Sequence, residues 1–345
     1  MAIPFKSPEP RFRYRVATET AALDAHFAAR QVPQRSAGRL LMACWNVANL
    51  GAQDRTGAAL RVIAHLLRRF ELIALQELNE EYRALIKVLD AMGPDFDFIM
   101  SDTAGNNERM AFIFDRRKVQ PMKLFGELAL RPREYPKRTV KVKYTDGGIE
   151  KTDTFRDFRF TPFDRNPYIG TFRAGAIDFT LANVHLYFGR FGNSKKKKDR
   201  ERYARRVLEI YALSKWADRR ANRKASYDRD IVLLGDMNVP TMSEDDPAFR
   251  ALTDFGFQPL DYPSQVGGSN LGNDRTYDQM AFAPGSIEAR IRDHAVFDFD
   301  NVIFSRLWDR LIAELPKRKA ISRFKAHVQH HISDHRPLWA SLDIT

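Results

Sequence analysis

The chain is short of several things. It has a single cysteine, Cys44, in 345 residues, so no intrachain disulfide can form. No apolar run approaches the roughly 18 to 20 residues needed to cross a bilayer. The opening MAIPFKSPEPRFRYR lacks the apolar stretch of a secretion leader. These absences point to a reduced, cytoplasmic protein with no transmembrane segment. There is also no internal repeat, no low-complexity linker and no shift in composition that would cut the chain. One domain with insertions is therefore expected, and the length and 44% hydrophobic content permit a large core. Positive charge, in contrast, is in excess. A formal net charge of +12 concentrates polyanions, either nucleic acid or an anionic membrane surface.

Residues 1–38 are polar, basic and proline-containing, with one short helix expected at ATETAALDAHFAAR, and read as an N-terminal extension. From residue 39 strands and helices interleave. GRLLMACWNVANL and ELIALQEL are apolar strands with polar ends, and GAALRVIAHLLRRF between them has helical spacing. FDFIMSD, RMAFIFDRRKV and PMKLFGELAL alternate as strands. Interleaving of this kind predicts an α/β fold. Two insertions stand out. The charged stretch 131–160, with a DGG turn between TVKVKY and TDTFRDFRF, is expected as a projecting hairpin, and 284–330 contains the amphipathic helix NVIFSRLWDRLIAEL. The run KKKK at 195–198 leads into a long helix and offers either a solvated loop or a phosphate-backbone contact.

Polar residues gather where apolar strands end. Asn46 follows LLMACW, Glu77 follows LIALQ, Asp236 and Asn238 follow IVLLG, and Asp334 with His335 opens DHRPLWASL. Any one of these is an ordinary turn residue. Together they matter, because parallel or mixed sheets collect strand ends on one edge, where several oxygen ligands make a site for a hard divalent cation. Asp236 and Asn238 are two apart, so in an extended segment both face the same way, with Met237 packing beneath.

The short strings WN (45–46), LQE (75–77), NVHL (183–186), GDMN (235–238), YDQ (277–279) and SDHRP (333–337) occur in an order and spacing that resemble the endonuclease/exonuclease/phosphatase superfamily from about residue 39 to 344. The resemblance implies a four-layered α/β sandwich, with two mixed sheets face to face and helices outside. It also implies a metal-dependent phosphodiesterase or phosphomonoesterase site at one edge. Carried onto this chain, it places Asn46, Glu77 and Asp334 around Mg²⁺ or Mn²⁺. Asp236 and Asn238 would face the attacking water and the phosphate, and His335 would pair with Asp278. His185 matches the histidine of deoxyribonuclease I-like members. Arg165, in DRNPY, resembles their phosphate-holding arginine, with Arg173 as its competitor.

Other assignments are weaker. A zinc site built from His327, His330, His331 and His335 lacks a cysteine partner, and His335 is already accounted for. Ala48 stands where abasic-site endonucleases carry an acid, and DRTYDQMAF departs from the inositol-polyphosphate phosphatase signature. Bacterial intracellular members are the nearest resemblance. The expected activity is therefore a Mg²⁺- or Mn²⁺-dependent nuclease hydrolysing DNA or RNA, DNA being favoured. The alternative is a phosphatase or phospholipid phosphodiesterase, of sphingomyelinase-like or inositol-phosphate type, working at the same site.

Overall fold

Strand β1 (Arg39–Leu50) is buried along nearly its whole length, because both of its faces are covered. Leu41, Ala43 and Trp45 pack under helices, whereas Leu40, Met42 and Cys44 face a second sheet. A run of apolar residues without alternation is the signature of that position. The computed structural model describes residues 4–188, 194–262 and 266–345.

The first half of the chain continues with α1 (Val16–Ala29), α2 (Gly57–Leu67), β2 (Leu72–Asn79), α3 (Arg83–Met92), β3 (Phe96–Met100), β4 (Glu108–Asp115) and β5 (Val119–Glu127). Strands β6 (Lys137–Asp146), β7 (Ile149–Arg159), β8 (Tyr168–Ala174) and β9 (Ile177–His185) lead to α4 (Lys197–Ala221). The remainder is β10 (Ile231–Asp236), α5 (Pro247–Thr253), β11 (Gln258–Pro259), β12 (Asp278–Phe282), β13 (Ile291–Val296), α6 (Ser305–Glu314), α7 (Lys317–His331) and β14 (Leu338–Asp343).

Two six-stranded mixed sheets result, with orders β13-β14-β1-β2-β4-β3 and β11-β12-β10-β9-β8-β5. They face each other through a core that includes Phe112, Phe172, Phe179, Val232 and Leu234. Helices α1, α2, α3, α6 and α7 cover the first sheet; α4 and α5 cover the second. This is the expected four-layered α/β sandwich.

The strand directions position the site. β1 runs parallel to β2, and β9 parallel to β10, so four strand ends reach one edge. β4, β12 and β14 run antiparallel to β2, β10 and β1, so their beginnings reach the same edge. Register breaks between Asn46 and Leu50 and between Leu75 and Leu78 re-aim the polar side chains there.

Residues 11–32 pack as part of the outer layer. Leu23 and Phe27 of α1 are buried, and Phe27 stacks on Phe297 at 4.1 Å between centroids. Asp298 is enclosed by His26 at 2.8 Å and by Arg30, and Glu19 accepts the Phe304 N–H at 2.6 Å. The 131–160 hairpin also departs from the projecting shape expected of it. Its two strands form their own sheet and lie against α4, with Val140 and Val142 buried and Arg200 over the Tyr144 ring at 3.8 Å. Its turn uses Gly147 and Gly148 at φ +60° and +80°, as a tight hairpin requires. The amphipathic helix expected at NVIFSRLWDRLIAEL is α6, and Pro316 separates it from a second helix, α7.

The enclosure of Asp298 keeps its carboxyl well below the usual range, burial notwithstanding, because His26 and Arg30 both donate to it. A depressed carboxylate adds stability that is complete above the ordinary carboxylate range and is lost as the pH falls through the folded value. Asp298→Ala and Phe27→Ala are each expected to cost about 3 kcal/mol in urea unfolding. Unchanged midpoints would show that α1 does not contribute to the fold.

Candidate active site

The carboxylate of Asp236, at the end of β10, lies at the centre of the edge. Its Oδ2 is 3.6 Å from His185 Nε2, 3.8 Å from His335 Nε2 and 3.1 Å from the Asn46 amide that donates to it. Behind each imidazole stands a second carboxylate. His185 Nδ1 meets Glu108 Oε2 at 2.9 Å, and His335 Nδ1 meets Asp278 Oδ2 at 2.8 Å. Two carboxylate–histidine pairs thus face the same oxygen of one carboxylate. A carboxylate on Nδ1 fixes the tautomer and turns Nε2 toward the site.

Local backbone geometry explains how these groups come to point inward. Gly235 has φ +128°, and a Cβ there would lie 2.2 Å from the Val184 carbonyl oxygen, so only glycine lets β10 approach β9 just before Asp236. Glu77 has φ +60°, an unusual conformation for a non-glycine residue and one that concentrates at functional positions. Its Oε1 accepts from Asn46 Nδ2 at 2.8 Å and its Oε2 from the Asn49 N–H at 2.9 Å. The loop bearing His335 is tied to β1. Trp45 Nε1 donates to the His335 carbonyl at 2.8 Å, while the Ser333 hydroxyl donates to the Asn46 carbonyl at 2.7 Å.

The charges are strongly coupled. Burial opposes ionisation of Asp236, but the facing His335 and His185 hold its carboxyl below the ordinary value. Burial likewise opposes a charged His335, yet Asp278 and Asp236 raise it well above the ordinary imidazole range. His185 is also raised: burial and Arg165 work against its charge, and Glu108 and Asp236 outweigh them. Glu108, despite burial, is held at about 2 by His185 and Arg165. Glu77 goes the other way. Burial pushes it up, and the like charge of Glu108 adds to this.

The residues of the strand boundaries meet at this edge, and three expectations change, those for Asn238, Arg165 and Asn46. Asn238 is not extended. At φ +54° the chain turns after Asp236, the Asn238 N–H donates to Asp236 Oδ1, and its side-chain amide donates to the Leu186 carbonyl at 3.0 Å. Arg165, expected to hold phosphate, is buried and occupied: it donates to the carbonyls of His185 and Leu186 and lies 3.7 Å from Glu108. It braces the end of β9. Its competitor Arg173 pairs with Asp178 across the far end of β8 and β9. Asn46, expected as an oxygen ligand, directs its NH₂ at Glu77 and Asp236, and its Oδ1 accepts the Ala48 N–H. Asp334 accepts from Gln329 at 3.0 Å, and its charge and that of Glu77 both act on the buried Arg55.

Two contributors were absent from the sequence reading. Glu108 opens β4 and lies outside the matched motifs; its signal in the sequence is an acid beginning an apolar strand, ERMAFIFD. Arg206, fully buried, donates from α4 to the carbonyls of Asn238 and Tyr187. Only packing shows which basic residue of that helix turns inward.

The donor set suits a hard divalent cation. Glu77 is a carboxylate raised by burial and by Glu108, so positive charge beside it relieves both. Buried Asp278 Oδ1 also has no hydrogen-bond partner among the described residues. Potential ligand atoms of Asp236, Asp278 and His335 lie within 4.8 Å of one another, but a cation held by His335 Nδ1 would break its pairing with Asp278.

Comparison with known proteins agrees with this architecture. The human Nocturnin catalytic domain, solved with bound sulfate, superposes over 91% of this chain and 96% of its own with a TM-score of 0.51 at 10% identity. The chain has the deoxyribonuclease I-like fold. A solved endonuclease/exonuclease/phosphatase from Bacteroides vulgatus matches 89% of this chain and 99% of its own at 11% identity, with a TM-score of 0.49. No family model matches the sequence. A protein named deoxyribonuclease from Thioalkalivibrio sp. (strain K90mix) is 26% identical over 231 residues, which is 65% of this chain. The match spans about half of that relative, 53% of its length. The resemblance carried by the motifs therefore holds at the level of the fold.

Glu108→Gln removes the carboxylate that raises His185. Its imidazole is then expected to titrate at lower pH than in the wild type, read by NMR without divalent metal. An unchanged titration would mean that the Glu108 contact does not set the charge of His185.

Proposed function

We propose that the chain is a divalent-metal-dependent phosphodiesterase that hydrolyses nucleic acid, DNA foremost, by attack of water. The observation carrying this reading is the pair of carboxylate–histidine dyads facing Asp236. The distances of 3.6 and 3.8 Å from Asp236 to the two Nε2 atoms are too long for direct hydrogen bonds. They suit oxygen atoms of water or phosphate bridging these groups.

Phosphodiester hydrolysis needs a proton acceptor for water, a donor for the departing oxygen and charge to match the phosphoryl oxygens. Asp236, kept ionised by its two neighbours, orients the water. One imidazole, protonated, supplies a proton to the leaving oxygen. The other accepts the water proton after giving up its own, a loss that a cation beside Glu77 would favour by repelling the imidazolium charge. Asp278 and Glu108 hold the two rings with Nε2 inward. Asn238 has a second amide hydrogen to offer a phosphate oxygen, and Arg165 and Arg206 hold the backbone beneath it. Glu77 and Asp334 would hold Mg²⁺ or Mn²⁺, with the Asn46 amide positioning Glu77. Such an ion, when bound, supplies Lewis acidity toward the phosphate oxygens.

The net charge of +12 and the similarity to a protein named deoxyribonuclease favour nucleic acid over a small phosphoester. The test is a panel of plasmid DNA, single-stranded RNA, sphingomyelin and inositol phosphates, each with Mg²⁺, Mn²⁺ or chelator. DNA cleavage that chelator abolishes is expected; lipid or inositol-phosphate turnover without nucleic-acid cleavage would overturn the reading. Asp236→Asn is expected to lower turnover by about 10³-fold or more. The variant is expected to stay folded in urea titration, because the isosteric amide keeps an oxygen for the Asn238 N–H. Full activity in that variant would remove Asp236 from the reaction.

A further inference from the structure

Away from the catalytic edge, the C-terminal half of α4 carries one stripe of basic and aromatic residues. Lys215, Trp216, Arg219 and Arg220 follow one another at spacings that place them on one helix face, and Arg223 follows just past the helix end. That face walls a cleft of about 550 Å³, closed on its other sides by the chain after β5, which brings Arg131, and by Tyr227 beyond the helix.

The charge of this cleft is uncompensated. Glu134, the one acid lining it, is taken by Arg131 through two hydrogen bonds of 3.0 and 2.7 Å. Among the described residues Lys215, Arg219, Arg220 and Arg223 form no ion pair. Arg220 Nε and Ser226 Oγ are buried there without a hydrogen-bond partner. A buried donor left unpaired is costly, and an incoming acceptor relieves it. Two rings complete the cleft. Tyr227 is 51% exposed, and Trp216 is partly buried beside the arginines.

Several cations with an unmet buried donor select a ligand rich in anionic oxygens, and the neighbouring rings select one that also carries a flat aromatic group. A nucleotide has both. We propose that this cleft binds a single-stranded segment of nucleic acid, with phosphates on Arg219, Arg220 and Arg223 and a base against Trp216. A single strand is specified because a base paired within a duplex cannot turn its face to the ring. Calling this segment substrate rests on the nuclease reading; the binding itself does not. Arg206, which donates to the Asn238 carbonyl, lies thirteen residues before Arg219 on α4, about 20 Å along the helix. The cleft is therefore a separate anchor for a strand and not part of the catalytic edge.

The test uses the full chain in chelator, where bound strand stays intact, and follows the anisotropy of a labelled oligothymidylate about a dozen nucleotides long. The double variant Arg219→Glu with Arg223→Glu, both at exposed positions, is expected to weaken binding at least about tenfold. It should also flatten the dependence of log K on log salt by about 1.4. Trp216→Ala is expected to weaken binding about tenfold, with Trp216→Phe restoring most of it. Metal-supported turnover of bis(p-nitrophenyl) phosphate, too small to reach the cleft from the catalytic edge, should be unchanged in all three and so reports an intact fold. Oligonucleotide binding that is insensitive to the charge reversal overturns the proposal. So does binding that inorganic phosphate competes away and that ignores Trp216, since the cleft would then read charge alone. Cleft-dependent binding without cleavage of any nucleic acid would sink the nuclease reading and leave this one standing. DNA cleavage together with insensitive binding would do the reverse.

Discussion

Between the two sheets, Gln76 donates to Asn183 Oδ1 at 2.7 Å, and Asn183 Nδ2 donates in turn to the carbonyls of Leu75 and Ala111. All of these groups are buried, so a slip of either strand would leave several of them unpaired in an apolar core. The tie consequently locks β2 and β9 into one register. Glu77 is the residue after Gln76, and His185 is two after Asn183, so the same tie delivers both to the edge. A shift of one residue would turn each of them to the opposite face. Gly235 completes the arrangement by letting β10 close on Val184 immediately before Asp236.

Given that frame, the chemistry of the edge follows from desolvation. Four carboxylates, those of Glu77, Glu108, Asp236 and Asp278, are gathered where water is scarce, and an uncompensated buried charge is expensive. Two imidazoles answer three of them: Glu108 through His185, Asp278 through His335, and Asp236 through both. Glu77 lies 3.8 Å from His185 Nε2 with no direct hydrogen bond to either imidazole and stays raised by burial, so an added cation would relieve it. The dyads and the cation-seeking acid are two consequences of one crowded, buried edge.

The outer layers carry a different division of labour. Over the first sheet, Phe27 stacked on Phe297 and the enclosure of Asp298 by His26 and Arg30 hold α1 to the chain before α6, and Trp308 of α6 meets Phe324 of α7 edge-on, which gives that side a stabilising role. Over the second sheet, α4 has both roles. Arg206 and Glu209 turn inward to the chain after β9 and β10, Arg206 to the carbonyls of Tyr187 and Asn238 and Glu209 to the Tyr187 N–H, while later turns of the same helix present unneutralised arginines outward. Surplus positive charge is thus concentrated in places and not spread evenly.

Amino-acid order alone was enough to read the α/β interleaving, the apolar strands and the polar groups at their ends, because hydrophobic periodicity and turn chemistry are local properties. Polar residues at strand boundaries singled out Asn46, Glu77, Asp236, Asn238, Asp334 and His335, and the motif resemblance added His185 and Asp278. Amino-acid order did not reveal Glu108, which lies in none of the matched motifs and reaches the edge through the pairing of β4 with β2. Nor did it reveal the spent guanidinium of Arg165, the left-handed turn at Asn238 or the direction of the Asn46 amide. Charged edge strand β13 was missed for a related reason: half-exposed IRDHAV has no apolar alternation to read. What tertiary structure decided was which donor meets which acceptor. That choice depends on the distance between strands far apart in sequence, and no local pattern of residues encodes that distance.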